Sequence, residues 1–199
     1  YVPQGQKAAL KGDGLIDLPV GSVLIKSFGS PADLRAPDRD VRILETRLLI
    51  RRAAGWVALP YVWNAQGTEA VLKRAGQRMS VSWTHFDGQT RTISYAVPNA
   101  NQCKGCHVSG DAITPYGPKA RNLNDGVQLQ ALKQAGLLTG SLHGLVRLPH
   151  WDRPQTGSLN VRARAYLDVN CGHCHNPTGP ADTSGLWLNW DQPADTNLG

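Results

Sequence analysis

Two Cys-x-x-Cys pairs use every cysteine in this 199-residue chain: Cys103-Lys104-Gly105-Cys106 and Cys171-Gly172-His173-Cys174. A histidine follows each pair directly, His107 in the first case and His175 in the second. That spacing suits covalent haem attachment, in which two cysteine sulfurs form thioethers with the vinyl groups and the next imidazole reaches the iron from the proximal side. The expected cofactors are therefore two covalently attached c-type haems. Cys103, Cys106, Cys171 and Cys174 would hold them, with His107 and His175 as proximal iron ligands. Other uses of the same residues fit less well. A thioredoxin-like pair needs a βαβ setting that neither motif has. A four-cysteine zinc site would bridge the 64 residues between Cys106 and Cys171 and leave both histidines unexplained. Disulfides within such closely spaced pairs would be strained.

Whether each iron takes a sixth protein ligand separates an electron carrier from a catalyst, because two protein ligands block substrates and limit reorganisation. The remaining donors are Met79, His85, His143, His150 and His173. His173 lies inside a spacer and is discounted. Met79 and His85 precede the first motif on or beside a strand, and His85 is slightly favoured over Met79 as a distal ligand of the first haem. His143 and His150 fall in a linker, where histidines are commonly at the surface. A proximal histidine usually donates its other ring nitrogen to a carbonyl. With Ala163 and Leu167 placed before Cys171, the chain resembles class I cytochromes c, and that resemblance implies a proline carbonyl in this role: Pro118, eleven residues after His107, is the expected acceptor, with Pro115 as its competitor.

The formal charge is +6, which four haem propionates would lower to about +2, too weak a surplus to suggest a nucleic-acid partner. No basic stripe interleaved with aromatics is present. No run approaches the roughly 18 apolar residues of a membrane span, and the start at Tyr1 lacks a leader pattern, so a processed chain with no membrane span is expected.

The elements that must position the motifs divide the chain by texture. Residues 1–98 read as mostly strand. A short apolar run over 21–28 is bounded by Pro19 and Pro31. Arg42–Arg52 and Trp56–Trp63 form an antiparallel hairpin, and Val81–His85 with Thr90–Val97 forms another around Asp87-Gly88. Between them Thr68–Ala75 reads as a helix closed by Gly76. Past Pro98, loops and short helices take over, including Val127–Ala135 ended by Gly136. A Gly- and Pro-punctuated linker runs over 139–157, and a helix capped by Ser158 or Asn160 then runs to about Val169 and delivers Cys171. The fold class expected is α+β: an N-terminal antiparallel β-sheet domain ending in the first haem motif, then a mostly helical cytochrome c-like domain with the second. The expected domains are 1–138, β-rich and carrying the first haem, and 139–199, a cytochrome c-like segment carrying the second.

Around the second motif, Ala163 and Leu167, eight and four residues before Cys171, resemble the helix of class I cytochromes c. Longer stretches are similar to a little-characterised family of exported bacterial dihaem c-type cytochromes. They are Gly55–Trp63, Val97–Cys103, Thr114–Asn124 and Val161–Pro177, the clearest parts of a resemblance that extends over nearly the whole chain. That resemblance implies a periplasmic or extracellular location and a methionine-containing segment past Gly199. The N-terminal half is also similar to cytochrome c′-β and to the β-sheet cytochromes that oxidise hydroxylamine, where a lysine cross-links to haem. Lys26 is the one position to carry over, against an ordinary solvated strand lysine.

The activity expected on these grounds is single-electron transfer between redox partners such as a dehydrogenase or quinol oxidase and a terminal acceptor. The alternative is a dihaem enzyme with an open haem, peroxidase-like or acting on small nitrogen compounds. A third possibility is a docking subunit whose β-rich half binds a partner.

Overall fold

The computed structural model describes residues 1–193. A two-residue strand, β1 (Ala8–Ala9), precedes four strands: β2 (Val23–Pro31), β3 (Val41–Arg52), β4 (Gly55–Trp63) and β5 (Ala70–Leu72). These four form one sheet in the order β2-β3-β4-β5. A separate antiparallel hairpin follows, β6 (Gln77–Thr84) with β7 (Thr90–Val97), in continuous register from Gln77↔Val97 to Thr84↔Thr90. After the first motif come a two-residue hairpin, β8 (Val108–Ser109) with β9 (Ala112–Ile113), then helices α1 (Ala120–Leu123) and α2 (Gln128–Gln134), strand β10 (Leu138–Thr139) and helix α3 (Leu159–Asn170).

The chain forms two compact units. One comprises Tyr1, Val23–Arg52 and Trp56–Lys104; the other comprises Val2–Ser22, Ala53–Gly55 and everything from Gly105. The division thus falls at Gly105, inside the first motif, and not at residue 138. The first 22 residues, expected in a β-rich domain of 1–138, belong almost wholly to the second unit. The reason is pairing and burial. β1 pairs in parallel with β10, Ala8 facing Leu138, and Ala8, Ile16, Ala120, Leu129 and Leu138 share one core.

The expected sheet strands form because their apolar residues alternate. Along β4, Ala58, Pro60 and Val62 are buried while their neighbours are not, the period of a half-buried strand. The turn between β6 and β7 follows from Asp87-Gly88: the Asp87 carboxylate accepts from the Gln89 amide, and Gly88 takes a positive φ. The helix expected over Thr68–Ala75 does not form. Ala70–Leu72 instead pairs with Tyr61–Trp63, since eight residues are too few to hold a helix against an available strand edge. Gly76 still ends the segment with φ +75°, closing a turn.

A mostly helical second domain is also contradicted. Strand accounts for 32% and helix for only 17%, in three short helices, so among the described residues there is no mostly helical cytochrome c-like domain. Its physical basis is the frequency of glycine and proline across 139–157 and 176–185, which removes amide donors and favours turns. The second unit is instead built of loops around one longer helix. Among the described residues no helix is long and apolar enough to cross a membrane.

Candidate functional site

The upstream half of the first motif leaves β7 in the first unit. Asn99 and Gln102 cap each other reciprocally: the Asn99 amide donates to Gln102 Oε1, and the Gln102 amide donates to Asn99 Oδ1. This starts the short 3-10 turn Gln102–Gly105 that carries Cys103. Cys103 Sγ lies 3.5 Å from the Asn99 carbonyl oxygen. In the same unit Glu45, fully buried, accepts from Arg47 and from the Tyr95 hydroxyl, both at 2.6 Å. Burial, reinforced by the bond to Glu45, pushes the Tyr95 phenol up to about 12. Burial acts against the Arg47 charge, but Glu45, Tyr95 and, in smaller part, Cys103 raise its pKa.

The downstream half of the motif opens the second unit. β8 and β9 turn tightly at Gly110, whose φ of +56° favours glycine, so that His107 and Thr114 become the next facing pair after Val108↔Ile113. Accordingly the Thr114 amide donates to the His107 carbonyl at 2.9 Å, and His107 Nδ1 lies 3.2 Å from the Thr114 carbonyl oxygen. The Tyr116 hydroxyl closes the loop by donating to the Val108 carbonyl at 2.6 Å.

The second motif sits at the end of α3. Ser158 caps that helix by accepting from the Val161 amide, as the sequence suggested, and the Cys171 and Gly172 amides both donate to the Leu167 carbonyl. His175 Nδ1 lies 3.3 Å from the Leu186 carbonyl oxygen and the same distance from Ser184 Oγ. Asn176, buried, donates to the carbonyls of Gly172 and His173 and accepts from the Thr178 amide and hydroxyl. A carbonyl can only accept, so at both motifs these contacts favour the proton on Nδ1 and leave the Nε2 lone pair for a metal. Behind His107 the acceptor differs from the proline expected there. Thr114 and Leu186 fill the role, while the Pro118 carbonyl accepts from the Ile16 amide.

Beneath the second motif lies a charge cluster that sequence reading missed. Asp168, 1% exposed, accepts from Lys119 Nζ at 3.0 Å, from Arg121 Nη2 at 2.8 Å and Nε at 3.2 Å, and from the Trp190 amide at 3.0 Å. Burial would push its carboxyl pKa up, but Arg121, Lys119 and the Trp190 amide outweigh that and hold it below the usual carboxylate range. The members are 47 and 49 residues apart in sequence, with no local spacing to announce them.

The distal candidates are placed unequally. His85 follows the Thr84↔Thr90 end of the hairpin, its buried Nδ1 unpartnered and its ring 5.3 Å from Phe86. The chain leaves for Cys103 from the Gln77↔Val97 end, where the Ala100 amide donates to the Arg74 carbonyl. Seven register steps at about 3.3 Å each separate the two ends by roughly 23 Å, so the structure does not bring His85 to Cys103. Met79 faces Tyr95, two positions from the Cys103 end. Of the linker histidines, His150 lines a cleft of about 390 Å³ beside Trp151, Tyr166 and Val169, and the His143 amide donates to Ser141. Lys26 lies in β2 opposite Arg47, its ammonium 5.0 Å from the Phe28 ring.

Cys106 is exposed and the other three cysteines are half-buried. Among the described residues no three His, Cys, Asp or Glu side chains converge as a metal-ligand group. A c-type haem would ask for less, one imidazole per iron from the attachment motif, and His107 and His175 are the residues that would supply it. No family model matches the chain, and neither a curated protein nor a solved structure is significantly similar to it.

Proposed function

We propose that this chain is an exported bacterial c-type cytochrome that binds two haems covalently and passes single electrons between redox partners. The observation that carries the reading is the same orientation at both motifs. His107 and His175 each direct Nδ1 at a backbone carbonyl, at 3.2 and 3.3 Å, as proximal haem ligands commonly do. The resemblance of four stretches of sequence to exported dihaem cytochromes points the same way.

When bound, the haem supplies a one-electron iron couple. Cys103 with Cys106, and Cys171 with Cys174, would hold the macrocycles. The carbonyls of Thr114 and Leu186 keep each imidazole from turning and increase its basicity, which favours the oxidised metal. Asn176 fixes the turn of the second motif from inside. Partners on this reading are a dehydrogenase or quinol oxidase on one side and a terminal acceptor on the other. The location is periplasmic or extracellular, because bacteria attach c-type haem outside the cytoplasmic membrane.

The test is the mass of the denatured, acid-washed chain together with its oxidised and reduced absorption spectra. A gain of two haems, with sharp low-spin bands at both, is expected. The bare peptide mass would overturn the cytochrome reading; two haems with one high-spin and quick to bind carbon monoxide would overturn electron carriage in favour of catalysis.

A further inference from the structure

Within the second unit the two attachment loops touch. The Gly110 amide, at the tip of the β8–β9 turn, donates to the Thr178 carbonyl at 3.4 Å, and Ser109 Oγ lies 3.3 Å from Thr178 Oγ1. Thr178 stands four positions after Cys174, and Ser109 three positions after Cys106. The Tyr116 ring, which closes the first loop, lies 6.4 Å from the His173 ring inside the second motif's spacer, at an angle of 46°. Thr178 is itself fixed by Asn176, which spans the second motif from within.

Each contact joins a residue that shapes one loop to a residue that shapes the other. We propose that the two loops form one interlocked site that holds its haems as a directly coupled pair and not as two independent centres. This rests on the dihaem reading above. The alternative arrangement, two haems on separate scaffolds linked only by chain, gives no reason for the turn of β8–β9 to seat on Thr178 or for Tyr116 to meet His173.

The experiment is circular dichroism across the Soret band of the full, haem-loaded chain, with the denatured mass measured on the same sample. Two haems held as a coupled pair give a bisignate couplet, and that couplet disappears in Cys171→Ser/Cys174→Ser, which retains one haem. A second variant, Ser109→Ala with Thr178→Val, leaves all four cysteines and both histidines in place. It is expected to keep the mass of two haems and lose couplet amplitude. Two haems by mass with a single-signed band in the unaltered chain would overturn the interlocked pair while leaving the dihaem reading intact. A full couplet in Ser109→Ala/Thr178→Val would overturn the part given to these contacts. A chain without haem mass would overturn both proposals.

Discussion

At His107 the chain returns through a tight hairpin, and the imidazole finds its carbonyl seven residues on, at Thr114. At His175 it returns through irregular loop, and the carbonyl is eleven residues on, at Leu186. Past its histidine the first motif is held mainly by strand pairing, with the Tyr116 hydroxyl closing the loop, whereas the second depends more on buried side chains: Asn176 inside the turn and Asp168 with Lys119 and Arg121 beneath it. The comparison teaches that the pentapeptide asks little of its surroundings. It needs a short turn for two sulfurs and one carbonyl for the ring, and unrelated local structures supply both. It also implies that the second loop is the more vulnerable to single substitutions.

The largest effect should come from Asp168→Ala, which leaves Lys119 and Arg121 buried without their shared carboxylate. Breaking a buried pair this way costs about 3–5 kcal/mol, readable as a lower urea midpoint. The pH dependence has a definite sign. The Asp168 pKa is lowered in the folded chain, so its contribution is in place above the unfolded value of about 4 and is lost as pH falls through the folded one. Acid titration of stability should therefore be shallower in Asp168→Ala than in the unaltered chain; identical acid limbs would remove the cluster from the account of the second loop.

Legibility in the sequence divides along the same line. The motifs, both hairpins and the cap at Ser158 were readable because each is announced by neighbours: a spacing, an Asp-Gly turn, a serine before a helix. The Asp168 cluster was not, since its members meet only through the packing of α1 against α3. The helix expected over Thr68–Ala75 failed because an open strand edge at Tyr61–Trp63 outweighed local propensity. A helical second domain was an inference from resemblance around Cys171, and it did not allow for the glycine and proline on either side of α3. The proline expected behind His107 failed for a related reason, since the hairpin offers Thr114 first.

Gly172→Ala comes next in size. A Cβ there would stand 2.6 Å from Asn189 Oδ1 and 2.9 Å from the Asp168 carbonyl oxygen, the second of which is backbone and cannot swing aside. The expected cost is about 2–3 kcal/mol from overpacking, measured by thermal or urea unfolding. Asn176→Ala should cost somewhat less, about 1–2 kcal/mol, since the Gly172 and His173 carbonyls lose their shared donor. An undiminished stability in either variant would show that the second turn does not depend on its buried side chains.

The smallest effect sharpens the comparison most, because it makes the same chemical change inside the other spacer. Gly105 is the spacer glycine of the first motif, directly before Cys106, as Gly172 is that of the second, directly after Cys171; a Cβ on Gly105 meets no atom within 4 Å, and its φ is not in the positive range. Gly105→Ala therefore encounters neither clash nor backbone strain, and alanine narrows the unfolded ensemble slightly. The change should be neutral to stabilising, within about 0.5 kcal/mol, in the same unfolding assay. If Gly105→Ala were as costly as Gly172→Ala, the first spacer would be packed as tightly as the second. The contrast between a motif held by pairing and one held by buried side chains would then fail at its most direct point of comparison.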